Sequence, residues 1–231
     1  MKTFTSFIKV FSVVTVIILL QGCGPARETK VKMFPGIYDE SPRSILILPP
    51  INLSTAANAK EYYSTTIQEP LAYKGYYVHP YEVTSEILKQ EGIYDAELLA
   101  NVPLSKFKEY FGADAVLFTT IKKWDIKYLI IGGNLTIQIE AQLKSTKTDQ
   151  ELWRYTGTVV VDLGGGNSGG GVAGLIAKAI VTAVNTAIVD YVPHARRANY
   201  FAMHSMPVGN YHERFRKDHG DQIVIQAPPK E

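Results

Sequence analysis

The residues whose types and spacing offer chemistry are one thiol, one run of glycines and five imidazoles. Cys23 is the only cysteine in 231 residues and directly follows Leu20-Gln21-Gly22. Gly164-Gly165-Gly166-Asn167-Ser168-Gly169-Gly170-Gly171 matches Gly-x-Gly-x-x-Gly, a loop that can turn backbone amides toward a phosphate at a helix N-terminus. A run so dominated by glycine matches almost any glycine pattern, however. It lacks the Lys-Ser/Thr pair of a P-loop and has no acidic residue closing a next strand about 20 residues on. A hinge or close-packing loop accounts for it, with small-ligand binding as the alternative. No hydrolase is read from Ser168. His79, His194, His204, His212 and His219 contain no His-Glu-x-x-His spacing, and the pairs His212-Glu213 and Asp218-His219 read as part of a solvated tail. The expectation is a chain with no catalytic residue, no cofactor and no metal site.

The surroundings of Cys23 give the thiol a role. Met1 to Lys9 carries Lys2 and Lys9, and an apolar core of about eleven residues, Val10 to Leu20, follows; a spanning helix needs about twenty. This is a secretory signal, expected to be removed. Leu20-Gln21-Gly22-Cys23 resembles the lipobox of bacterial lipoproteins, in which the thiol receives a diacylglyceryl group, cleavage frees the cysteine amine, and a further acyl chain such as palmitate is added there. Lipidation at Cys23 would leave no thiol for disulfides or metal. Gly24 stands where an Asp would resemble the inner-membrane retention signal, so the outer membrane is the expected address.

What this anchor carries must be a folded domain. Hydrophobic residues make up 46% of the chain and charged residues 20%, enough apolar content for a core. Without Lys2 and Lys9 the basic and acidic residues are equal in number, and no basic run remains to neutralise phosphates, which argues against nucleic acid. The expected organisation is a signal peptide over 1–22, a lipidated tether over 23–43, a domain over 44–211 and a polar, disordered tail over 212–231. A tether of that length could hold the domain roughly 60 Å from the lipid, although Met33 to Ile37 could dock instead.

Within the domain, Ser44 to Leu48 is a continuous apolar run closed by Pro49-Pro50, which suits a strand buried on both faces. Ala56 to Lys74 has helical spacing, kinked or restarted at Pro70, and Tyr76 to His79 is a short strand. Strand, helix and strand in this order imply a parallel pair. Helices over about 81–90 and 104–111 follow, and Gly112 stops the second. Ala115 to Trp124 is a strand that continues or re-enters over 127–131, Gly132-Gly133-Asn134 signals a hairpin, and Leu135 to Lys144 alternates apolar and polar at every step. Trp153, Tyr155, Gly157, Val159 and Val161 repeat that alternation. The fold class is therefore α/β (α+β): a mixed sheet of about five to six strands, with a βαβ start, an antiparallel meander and helices packed on one face.

Val172 to Val192 is apolar almost throughout, with Lys178, Thr182, Asn185, Thr186 and Asp190 gathered on one helical stripe. Burial of this amphipathic helix on the domain's own sheet is one reading; a wide apolar face that exceeds one sheet's cover would instead reach a second copy, and a homodimer through that face is expected.

Four stretches carry a resemblance: Ile45 to Asn52, Gly75 to Pro80, Phe111 to Leu117 and Leu152 to Tyr155. Together they resemble a family of bacterial lipoproteins that includes surface antigens, from the lipobox to about Tyr211. The order of strand, helix and Gly-Ala-Asp strand is more distantly similar to the N-terminal domain of TolB and the periplasmic domain of the curli secretion lipoprotein CsgG. Members of the close family are often encoded beside a CsgG-like lipoprotein, which implies a non-catalytic subunit of an envelope export or surface-assembly complex, with that lipoprotein as partner. The resemblance transfers no site residue. A pore in which the Lys127 to Lys144 hairpin enters the membrane is the alternative, though the same alternation fits a half-buried sheet.

Overall fold

The computed structural model describes residues 27–128, 133–162 and 191–224. Cys23, the glycine run, residues 172–190 of the apolar stretch and residues 225–231 lie outside them. In chain order the described elements are β1 (Arg27–Thr29), α1 (Lys30–Met33), α2 (Pro35–Glu40), β2 (Ser44–Ile47), β3 (Ile51–Asn52), α3 (Ala59–Tyr73), β4 (Tyr77–Val78), α4 (Tyr81–Gln90), α5 (Ala96–Leu99), α6 (Leu104–Phe111), β5 (Ala115–Tyr128), β6 (Gly133–Ser145), β7 (Glu151–Asp162), α7 (Val192–Met203) and β8 (Gln222–Val224).

Pro49-Pro50 explains the first strands. Proline cannot donate to a ladder, so the apolar run stops at Ile47 and resumes as β3, and both pieces lie in parallel along β5. With β4 parallel to β2 and the β5-β6-β7 meander antiparallel, the main sheet runs β4-β2-β5-β6-β7 with β3 beside β5. The mixed sheet with a βαβ start is thus the observed fold. A bulge at Lys122 lets β5 continue unbroken through Asp125, and α3 runs on through Pro70 without restarting.

Helices cover both faces of the parallel half, not one as expected. Ile45 and Ile47 pack with Tyr63, Ile67 and Leu71 of α3 and Ala195, Ala198 and Ala202 of α7. Leu46, Leu48 and Val116 face the other way, onto Leu88, Leu99 and Phe107 of α4, α5 and α6. A strand apolar at every position needs that double cover. In the meander, Leu135, Ile137, Ile139, Ala141 and Leu143 are all buried, so the alternating strand is a half-buried sheet whose apolar face is core.

The ends of the domain differ most from expectation. Residues 27–43 are not a free tether: β1 pairs antiparallel with β8, and Phe34 and Ile37 join the core. Residues 212–224 are not a free tail either, since Asp218 is fully buried and Ile223 is core. Two glycines permit this closure. Gly75 (φ +79°) and Gly209 meet backbone to backbone, with Gly209 N–H donating to Lys74 O (2.7 Å) and Tyr211 N–H to Gly75 O (3.0 Å). A Cβ on Gly75 would lie 2.3 Å from His212 N, whereas Gly92, at φ +80°, has nothing within 4 Å. Gly92→Ala should therefore lose only the left-handed preference, about 1–2 kcal/mol. Gly75→Ala should lose distinctly more and open residues 204–221 to protease, as thermal midpoints and limited proteolysis of the two variants will show.

Candidate functional site: a buried clasp and a polar groove

Where the two ends of the domain meet, charged groups are drawn out of water. Lys30 is 6% exposed and Asp218 0%, and their Nζ–Oδ2 distance is 3.1 Å. Asp218 also accepts from the Tyr38 hydroxyl (3.1 Å) and Val208 N–H (3.0 Å), while Asp221 stands 3.7 Å from Lys30 and pairs with Arg214 at 2.8 Å. One carboxylate therefore joins the N-terminal segment to the segment after α7, with four groups depending on it or its neighbour. Lys74, just past α3, donates to Met206 O (2.8 Å) and His204 O (3.2 Å), and Tyr76 donates to Pro207 O (2.9 Å).

Electrostatics follow from this burial. Desolvation, then the Lys30 charge, pulls the Lys74 ammonium from 10.5 down to about 7. Burial, the Lys74 charge and the Lys30 charge likewise hold His204 below its ordinary value. Burial and then Asp218 push the Tyr38 hydroxyl up, so it stays a donor. Lys74 spends its N–H donors on two main-chain carbonyls of the segment after α7. The group latches the chain. Because the folded form releases the Lys74 proton near 7 and the unfolded form only near 10.5, the unfolded state binds more protons in between, and stability should rise with pH across that window. Below the window both forms are charged and the full cost of burial stands. Denaturant midpoints compared at about pH 6.5 and about pH 9 should show the rise, and Lys74→Met should flatten it.

Beside the clasp is an open groove of about 440 Å³ lined by Glu40, Ser41, Pro42, Arg43, Lys108, Asp114, Thr146 and Lys147. Both carboxylates are engaged: Glu40 accepts from the Ser145 and Thr148 hydroxyls, and Asp114 from Lys108 Nζ (2.6 Å) and the Arg43 and Ser44 N–H groups. Burial works to raise Asp114, yet the Lys108 and main-chain donors outweigh it and hold its carboxyl below the usual range. The groove offers cations to a small anion and no nucleophile paired with a base. It also lies at the N-terminal ends of β2 and β5, opposite the edge where open parallel sheets bind ligands.

Of the residues singled out in the sequence, Cys23 and the glycine run lie outside the described residues. The imidazoles are dispersed: His79 Nε2 is buried without a hydrogen-bond partner among the described residues, His204 sits beside Lys74, and His219 meets Tyr38 edge-on at 4.4 Å. Among the described residues, no cluster of three His, Cys, Asp or Glu could hold a metal ion. The clasp was missed because Lys30 and Asp218 are 188 residues apart and each lies in a segment without apolar period.

Residues 36–207 match the model of the GNA1162-like lipoproteins, a span that contains all four stretches carrying the resemblance. The chain is 32% identical over 157 residues to "Putative lipoprotein NMB1124/NMB1162" of Neisseria meningitidis serogroup B (strain ATCC BAA-335 / MC58), covering 68% of this chain and 72% of that protein. It is similar to the crystal structure of lipoprotein GNA1162 from Neisseria meningitidis, with 33% identity and a TM-score of 0.50 over 60% of this chain and 94% of that one.

Proposed function

We propose, because the chain belongs to the GNA1162-like lipoprotein family, that it is anchored in the outer membrane through lipid on Cys23 and serves there as a non-catalytic assembly or binding subunit of an envelope export or surface-assembly complex. The observation that carries this reading is the family match over residues 36–207, downstream of a lipobox ending in Cys23. Two features fit a non-catalytic role: Lys74 and Tyr76 donate to main-chain carbonyls and so latch the segment after α7, and among the described residues the groove pairs no nucleophile with a base. Exposed Val83 and Ile87, one turn apart on α4, leave apolar surface for protein contact.

Crosslinking of intact envelopes followed by recovery of the tagged lipoprotein tests the reading. Co-recovery of other envelope lipoproteins, a CsgG-like one among them, is expected; recovery of this protein alone would overturn the role in assembly. The domain is also expected to associate as a homodimer, burying about 1,200 to 2,000 Å² if the contact is stable. Light scattering that gives a monomer mass at high micromolar concentration would rule the dimer out.

A further inference from the structure

The clasp changes where the domain can stand. Only three residues, and so four Cα-to-Cα steps, separate Cys23 from Arg27, where β1 begins its pairing with β8. At about 3.3–3.6 Å per residue, that linker reaches about 14 Å, against the roughly 60 Å of a free tether ending at Arg43. The lipid-bearing end is further held to the body by the buried Lys30–Asp218 pair, so it cannot lengthen without breaking that pair.

We propose that the β1–β8 pair and α1 form a membrane-apposed face that rests on the bilayer carrying the acyl chains. This rests on the anchoring of Cys23 proposed above. The exposed residues of the segment fit lipid: Arg27 is exposed, Lys32 is an exposed cation, and Val31 and Met33 are 38% and 39% exposed despite being apolar. Cations beside an anionic headgroup layer gain electrostatic attraction, and flanking apolar side chains gain burial at the acyl boundary. The sole acidic residue of β1 and α1, Glu28, pairs with Lys32 at 2.8 Å, so the net positive charge of their exposed side is that of Arg27. The far end of the meander lies away from α1. Phe34, the residue after α1, packs against Trp153 with ring centroids 6.4 Å apart. Val160, 60% exposed, is seven residues further along β7, about 24 Å away along the strand.

The test uses the full acylated protein in vesicles of phosphatidylethanolamine and phosphatidylglycerol doped with a headgroup-nitroxide lipid. A bimane fluorophore is attached in turn to Val31→Cys, Met33→Cys and Val160→Cys, Cys23 being blocked by its lipid. Quenching several-fold stronger at 31 and 33 than at 160 is expected. Equal quenching at all three, or stronger quenching at 160, overturns the orientation while leaving the anchor intact. Intact mass reads the anchor separately: a Cys23 without acyl chains overturns both. Two labelled positions on α1 guard against a substitution that disturbs one of them, and the thermal midpoint of each labelled protein identifies it.

Discussion

Cys23→Ser is expected to remove the acyl mass from the protein and to empty it from the outer-membrane fraction. The nucleophile in thioether formation is a thiolate, and a serine hydroxyl at neutral pH does not substitute for it. Each buried methylene contributes about 0.8 kcal/mol, so one acyl chain gives marginal, reversible attachment, whereas several chains make release negligible. The effect should therefore be close to all-or-none. Among the described residues no helix is long and apolar enough to cross a membrane, so the described fold supplies no second anchor of that kind. Fractionation with intact-mass measurement decides the matter. A variant that keeps its place in the outer membrane, with its signal processed, would remove the basis for lipid anchoring.

The sheet was legible in the sequence where one physical rule acted alone. The alternation from Leu135 to Lys144 leaves a single register that hides Leu135, Ile137, Ile139, Ala141 and Leu143 together, and they are the buried face of β6. The amphipathic helices α4 and α6 end where Gly92 closes the turn after one and Gly112 caps the other. Other elements depend on contacts that no local pattern encodes. β3 is two residues long and exists because β5 offers unpaired backbone beyond the proline break. α7 hides its apolar side in small residues, Ala195, Ala198 and Ala202, beside a fully buried Asn199 that donates to Tyr63 O and Thr66 Oγ1 of α3. A helix that docks largely through alanines and one amide keeps helical spacing but offers little apolar bulk to mark it. The clasp is the extreme case: polar residues usually mark a solvated tail, and only the partner far along the chain turns Asp218 into core.

That partnership yields the largest expected effect on stability. Asp218→Ala should destabilise the domain by about 3–5 kcal/mol, the range for stranding one member of a buried ion pair. The loss has identifiable parts: the Lys30 ammonium keeps only the more distant Asp221, the Tyr38 hydroxyl loses its acceptor, and Val208 N–H is left unpaired. For a domain of this size each kcal/mol moves the thermal midpoint by about 2–4 °C, so a fall of about 10 °C is expected. The double variant Lys30→Met/Asp218→Leu distinguishes charge from packing. A buried pair replaced by apolar side chains of similar volume is often neutral or stabilising, so the double variant should recover much of what Asp218→Ala loses. Tyr38 and Val208 would still lack an acceptor, which caps the recovery below the wild-type midpoint. If the clasp instead contributed nothing, Asp218→Ala and the double variant would both melt with the unaltered protein, and residues 27–43 and 212–224 would be equally resistant to protease in all three. If it closes the domain as its geometry indicates, those two segments are cut first in Asp218→Ala, and they are cut together, because each is held through the other.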